Sequence, residues 1–280
     1  MSTVAVTPQT GAGAEELGAG IGFEDVSKVF VSAESDAFTA IESIDLTIEP
    51  GTFVTIVGPS GCGKSTLLNM AAGLLKPSSG TVRYRGSPVT GVNTDVGYMT
   101  QKDNLLPWRR VEDNVRLPLE MPGHHRSRAE KTAMVEAQLA RVGLEKFGRR
   151  YPAELSGGMR KRVALARSLV YDPATLLMDE PFGALDAQLR LSLQGQLLEL
   201  LRRDRKTVLF VTHDIEEAVM LADRVVVFGA NPGRIVHVED VHLDRSGDLV
   251  AARRSPEVAE ICGRLWSMLE THEETPDGDR

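Results

Sequence analysis

Phe53-Val54-Thr55-Ile56-Val57 runs directly into Gly58-Pro59-Ser60-Gly61-Cys62-Gly63-Lys64-Ser65-Thr66, and Leu67-Leu68-Asn69-Met70-Ala71-Ala72-Gly73-Leu74-Leu75 follows. The first block is an uninterrupted apolar run of strand length, and the last is an apolar stretch of helical length. The nine residues between them fit the spacing G-x-x-x-x-G-K-[ST] at the turn from strand to helix, the setting in which that spacing acts. Glycines let successive backbone N–H groups point inward at a polyphosphate, and the helix start adds its positive end. Lys64 is placed to bridge the β and γ phosphates of a nucleotide, and Ser65 to offer its hydroxyl to Mg²⁺.

Cys62 lies inside this loop, where a helix N-terminus can depress a thiol pKa. The spacing leaves that position free for any small residue, so Cys62 reads as a filler rather than a catalytic thiol. Only one other cysteine, Cys262, is present, so neither a disulfide framework nor a zinc spacing is available.

A second apolar run, Ala174-Thr175-Leu176-Leu177-Met178, ends in Asp179-Glu180. It reads as a buried parallel strand with two acids at its carboxyl end, the edge at which open α/β sheets bind ligands. Asp179 then falls beside the metal, and Glu180 beside the water that would attack the γ phosphate. Taken alone, the acid pair could equally start the next helix.

Between these two blocks stands Leu155-Ser156-Gly157-Gly158-Met159, followed by Arg160-Lys161-Arg162-Val163-Ala164-Leu165-Ala166-Arg167. This order of parts resembles the signature and following helix of ABC-type ATPases, over about residues 21–238. The resemblance implies a P-loop α/β core with a mostly parallel sheet, an antiparallel β subdomain, and an inserted α-helical subdomain at about 102–170 that carries the signature. It also implies that Ser156, Gly157 and Gly158 complete the nucleotide site of a second copy, so that two chains sandwich two ATP molecules. The signature of that family usually ends in Gln, where this chain has Met159; the phosphate-facing elements are untouched, and only a contact of that side chain with ribose is put in doubt.

Further positions match the family. Gln101, after Val96-Gly97-Tyr98-Met99-Thr100, corresponds to the glutamine that approaches Mg²⁺ and the attacking water. His213, after Thr207-Val208-Leu209-Phe210-Val211, corresponds to the switch histidine at the γ phosphate. Asp186 resembles the residue that crosses between the two copies, and it can also cap the helix from Ala187 to about Leu201. Phe30 stands where the family stacks an aromatic ring on adenine; packing in the core is the alternative.

The whole chain has 280 residues, 42% hydrophobic and 25% charged, which describes an ordinary globular protein with material for a core. Its net charge of -7 argues against nucleic acid as the main partner. No run is long enough to span a bilayer, and the amino terminus lacks the layout of a signal peptide. Residues 1–20 read as a disordered leader. Helices are expected between 102 and 170, including a continuous amphipathic one from Ser127 to Val142. Beyond 238 lies a short C-terminal extension, 239–280, with one helix around Val258 to Leu269.

Asn104 to Val115, with Trp108 beside Arg109 and Arg110, falls where transport members of the family receive a helix of the membrane subunit; a local core around Leu105, Leu106 and Trp108 is the other reading. Leu106-Pro107-Trp108, Met159 and Asn231-Pro232-Gly233-Arg234-Ile235 look like the nitrate, sulfonate and taurine importer branch. That resemblance implies an ATP-hydrolysing subunit at the cytoplasmic face of a membrane, partnered by a second copy, by integral permease subunits and by an extracytoplasmic solute-binding protein. A non-transport ABC ATPase is the alternative, and a small-molecule kinase with the same phosphate loop a weaker one that leaves the signature and His213 unexplained.

Overall fold

A computed structural model describes residues 19–31, 37–122, 125–183, 185–243 and 252–273, so the expected leader falls almost entirely outside the described residues. In chain order the strands are β1 (Ile21–Phe30), β2 (Phe38–Ile48), β3 (Phe53–Val57), β4 (Ser79–Tyr84), β5 (Ser87–Pro88), β6 (Val96–Met99), β7 (Thr175–Asp179), β8 (Thr207–Thr212), β9 (Arg224–Gly229) and β10 (Arg234–Asp240). The helices are α1 (Lys64–Ala71), α2 (Val111–Arg116), α3 (Arg128–Arg141), α4 (Gly157–Leu169), α5 (Ala187–Asp204), α6 (Ile215–Leu221) and α7 (Pro256–Glu273).

The strands form two sheets. A four-stranded antiparallel sheet has the order β2-β1-β4-β5, and a six-stranded sheet has the order β10-β9-β3-β8-β7-β6. In the larger sheet β9, β3, β8, β7 and β6 are mutually parallel, while β10 runs antiparallel to β9 at one edge. Strands buried on both faces need apolar side chains throughout, and β3, β7 and β8 are buried at every position.

Strand alternation divides the core in two. Val54, Ile56, Leu209, Val211, Val226 and Phe228 share a cluster with Leu67, Leu68 and Met70 of α1 and with Phe23, Ile44 and Val82 of the smaller sheet. Phe53, Val57, Val208, Phe210, Val225 and Val227 belong instead to the cluster that holds the buried faces of α3, α4, α5 and α6. The Phe210 ring sits 5.8 Å from Phe53 and 6.0 Å from Phe182, in tilted pairs.

Helix α1 stops four residues short of the expected Leu75. Gly73 has φ +67°, a left-handed conformation that ends the helix, and its N–H donates to the Met70 carbonyl at 3.0 Å. The N–H groups of Leu74 and Leu75 both turn back to the Asn69 carbonyl. A Cβ on Gly73 would lie 1.8 Å from the Gly91 carbonyl oxygen, so backbone packing as well as φ demands glycine.

Between β6 and β7 the chain is helical. Helix α3 starts at a reciprocal capping box, Ser127 with Glu130, and spans the stretch the apolar periodicity predicts. Charge is unevenly shared along the chain. Residues 102–170 carry 15 Lys and Arg against 8 Asp and Glu, a balance of +7, whereas 21–101 and 171–238 together carry 12 against 18, a balance of -6.

Strand β10 was not expected from the sequence, which reads 234–238 only as the tail of the core. Its five central residues are all half-buried, so the strand lacks the in-out alternation that identifies a sheet edge. Helix α7 lays Val258, Ile261, Leu265 and Leu269 into the core, and Arg264 pairs with Glu239 of β10 at 2.6 Å. Among the described residues no helix is long and apolar enough to cross a membrane.

Candidate nucleotide site

The strand order brings the chemistry together. Because β3, β8, β7 and β6 are parallel neighbours, the segments leaving their carboxyl ends emerge side by side along one edge. Those segments are the loop 58–63 after β3, His213 after β8, Glu180 after β7 and Gln101 after β6. Ligands of parallel sheets bind at such an edge.

The 58–63 loop lies close against the sheet: a Cβ on Gly58 would come within 2.5 Å of the Phe228 carbonyl oxygen. Lys64, at the first turn of α1, is only 5% exposed. Its ammonium folds back onto the loop, donating to the carbonyls of Gly58 at 2.8 Å and Pro59 at 2.7 Å, with the Cys62 sulfur at 3.7 Å. Cys62 is buried, and burial pushes its thiol above the ordinary value although Lys64 pulls the other way. A thiol so held stays protonated, consistent with a filler.

Ser65 donates its hydroxyl to Asp179 Oδ1 at 2.9 Å, joining the two residues expected beside a cation. Burial raises the Asp179 carboxyl above its usual range, and the Ser65 hydrogen bond only partly offsets this. A divalent cation here would restore the charged form. One hydroxyl and one carboxylate are hard oxygen donors that suit Mg²⁺, with its other positions left for phosphate and water. Among the described residues no three His, Cys, Asp or Glu side chains stand together as a self-sufficient metal cage.

Glu180 adopts φ 42°, a left-handed conformation unusual for a residue with a side chain, and its N–H donates to the Val211 carbonyl at 2.9 Å. The strained turn aims the carboxylate at two neighbours. Gln101 Nε2 donates to Glu180 Oε2 at 3.1 Å, and His213 Nδ1 stands 3.3 Å from the same oxygen. Three residues from three strand ends therefore meet on one carboxylate oxygen.

The remaining expected residues sit apart from this cluster. Ser156 caps α4, its hydroxyl accepting from the Met159 N–H at 3.3 Å, so Gly157 and Gly158 form a first turn whose N–H groups lack partners within the helix. Among the described residues, no hydrogen bond joins 156–158 to the phosphate loop of the same chain. Asp186 accepts from the Leu189 N–H at 2.9 Å, which is the capping role. Phe30 is 43% exposed, with the Lys28 ammonium 5.2 Å from its ring, so core packing does not account for it. Trp108, at 72% exposed, is likewise outside any local core, whereas Leu105 is buried.

Several supporting residues escape the sequence reading. Arg190 of α5 donates to Asp214, next to His213, at 3.2 Å and to the Leu185 carbonyl, next to Asp186, also at 3.2 Å. Glu217 of α6, buried, accepts from the hydroxyl of Thr212, on the other side of His213, and from Gln194. A motif search sees only the tips of such loops, because their braces come from neighbouring helices.

Residues 41–183 match the family described as ABC transporter. A putative ATP-binding protein of Brucella abortus (strain 2308) is 47% identical over 229 residues, which span 82% of this chain and 87% of the relative. The nitrate import ATP-binding protein NrtD of Synechococcus elongatus is 40% identical over 240 residues, 85% of this chain and 87% of the relative. Among solved structures, a dimeric post-hydrolysis state of the ATP-binding cassette MJ0796 bound to ADP and Pi superposes with a TM-score of 0.71 at 32% identity, covering 79% of this chain and 99% of that one.

Proposed function

Since this chain belongs to the ABC transporter family and is the ATP-hydrolysing subunit of such a transporter, we propose that it powers import of a small solute of the nitrate, sulfonate or taurine kind. Family membership removes the small-molecule kinase from consideration. The importer reading is supported by the likeness to a nitrate import protein at 40% identity. Leu106-Pro107-Trp108 and Asn231-Pro232-Gly233 point the same way.

In this reading the loop 58–66 cradles the phosphates of ATP, and Lys64 exchanges its two carbonyl partners for β and γ oxygens. Ser65 and Asp179, approached by Gln101, are the residues that would hold Mg²⁺, which would supply charge neutralisation for the phosphoryl group. Glu180 takes the proton of the attacking water as general base. Gln101 and His213 orient that carboxylate, and His213 also reaches the γ phosphate. Phe30 stacks on adenine through its exposed face.

Ser156 and the free N–H groups of Gly157 and Gly158 serve the ATP held by a second copy, with Asp186 crossing between the copies. Two chains thus close over two Mg·ATP and reopen after hydrolysis. The exposed Trp108 face receives integral permease subunits, placing the chain at the cytoplasmic side of the membrane, and a solute-binding protein delivers cargo from outside.

The observation that carries the reading is the convergence of Gln101 and His213 on Glu180 Oε2 beside the Ser65–Asp179 pair. Glu180→Gln keeps the shape and removes the base, so turnover should fall roughly 100- to 10,000-fold while an ATP-bound dimer accumulates. Multiple-turnover hydrolysis at the wild-type rate in that variant would sink Glu180 as the base. Copurification with a multispanning membrane protein supports transport, and copurification with DNA or ribosomes supports the non-transport alternative.

A further inference from the structure

Lys161 is a buried cation for which the catalytic scheme has no use. It lies on α4, one turn beyond the Ser156 cap, and is only 7% exposed. Its ammonium donates to the backbone carbonyl of Gln101, 60 residues away in the chain. Two neighbours on the same helix act in parallel. Arg167 donates to the carbonyls of Asp103 at 2.6 Å and Asn104 at 2.8 Å, and Arg160 pairs with the Asp103 carboxylate at 3.2 Å.

The segment 101–104 leaves β6 without entering another strand or helix, so its carbonyls have no ladder to satisfy them. Helix α4 supplies partners for the Gln101, Asp103 and Asn104 carbonyls, and the Thr100 hydroxyl donates to that of Lys102 at 2.7 Å. Asn104 holds φ 46°, a left-handed conformation sustained by these contacts together with the bond from its own amide to the Thr100 hydroxyl at 2.8 Å. Burying an ammonium is costly unless it is hydrogen-bonded, and burial does pull the Lys161 pKa below the ordinary lysine value. An apolar residue would fill the position at no such cost, and what the cation adds is the hydrogen bond to the Gln101 carbonyl.

We propose that Lys161 is a positioning residue for ATP hydrolysis: by holding the Gln101 carbonyl it sets where the Gln101 side chain meets Glu180, and it ties that contact to the helix capped by Ser156. The Gln101 amide reaches Glu180 Oε2 at 3.1 Å, within the normal hydrogen-bond range, so a shift of the main chain at Gln101 lengthens or misaligns the bond. The helix that offers its first turn to one nucleotide thereby governs the glutamine that serves another. This inference rests on the roles proposed for Glu180 and Gln101.

Lys161→Met keeps an unbranched apolar stem of similar length and removes the donor. In the full-length chain, steady-state ATPase should show kcat lowered roughly tenfold or more, the scale of a misplaced catalytic group. The Kd for ATP, read by nucleotide fluorescence, should stay within about twofold, since the phosphate loop is untouched. Lys161→Gln, which retains a donor, should recover most of the lost kcat and covers the case in which the Met variant folds poorly. The double variant Lys161→Met with Gln101→Ala should be no slower than Gln101→Ala alone, because the two substitutions remove one interaction. Fully additive losses, or an unchanged kcat in Lys161→Met beside a slowed Gln101→Ala, would overturn the role of Lys161 and leave that of Gln101 standing. An unchanged kcat in Gln101→Ala would overturn both.

Discussion

Asn114 permits a prediction whose size follows from its contacts. The side chain is fully buried on α2, 0% exposed, yet every one of its partners lies in the irregular segment 106–110. Oδ1 accepts from the Leu106 N–H at 2.7 Å, and Nδ2 donates to the carbonyls of Leu106, Arg109 and Arg110 at 3.0 to 3.1 Å. One amide thus stands in for the secondary structure this loop lacks, and the loop displays Trp108. Asn114→Ala removes one acceptor and two N–H donors. At about 1 kcal/mol for each hydrogen bond, the loss is about 3 kcal/mol, somewhat less where water reaches the freed carbonyls. For a chain of this size that lowers Tm by roughly 5–10 °C. Local opening should be felt more sharply: trypsin cleavage after Arg109 and Arg110 tracks the open population, and 3 kcal/mol raises it roughly 100-fold. Differential scanning fluorimetry and a timed digest read by mass spectrometry give both numbers. A Tm within about 1 °C of wild type together with an unchanged cleavage rate would show that the loop holds itself and that Asn114 is incidental.

Two further substitutions probe the fold around the site. Burial pushes the Glu217 carboxyl above the usual carboxylate range against the pull of its Thr212 and Gln194 hydrogen bonds. A raised folded pKa means the folded chain holds this proton more tightly than the unfolded chain, so the contribution to stability is complete below the unfolded pKa and is lost as pH rises through the folded one. Glu217→Gln abolishes that ionisation, and its Tm relative to wild type should climb as pH rises from the ordinary carboxylate range upward; a difference flat with pH refutes the assignment. Gly73→Ala forces a side chain into φ +67° and against the Gly91 carbonyl, which should cost at least about 2 kcal/mol in urea unfolding, whereas an unchanged midpoint would mean the turn can relax.

Legibility in the sequence followed the range of the interactions. The strand, loop and helix at 53–71 and the acid-ended strand before Glu180 are readable because the chemistry and the elements that carry it are contiguous. The parallel sheet follows from their alternation. What the chain does not announce is which strand neighbours which, and hence that Gln101 and His213 would share one oxygen of Glu180. Lys161 reads as one more charge in a basic helix until its carbonyl partner, 60 residues earlier, is seen. Asn114 is equally silent, since a polar residue on an amphipathic helix is ordinarily solvated. The end of α1 was legible in Gly73, but the apolar Leu74-Leu75 pair argued for continuation, although Leu74 is exposed.

The unequal sharing of charge gives the molecule an electrical polarity. The stretch 102–170 stands at +7 and the flanking segments 21–101 and 171–238 at -6, so positive charge is concentrated in the helical stretch between β6 and β7. Two such copies meeting with like ends together repel, and turned about so that each positive subdomain faces the other's negative core, they attract. Orientation would then be selected during diffusion, before any side chain touches. With a screening length of about 8 Å in physiological salt, that selection operates only over the last nanometre of approach. In the two-chain arrangement proposed above, such steering would favour the approach in which the helix capped by Ser156 meets the Lys64 of the other copy.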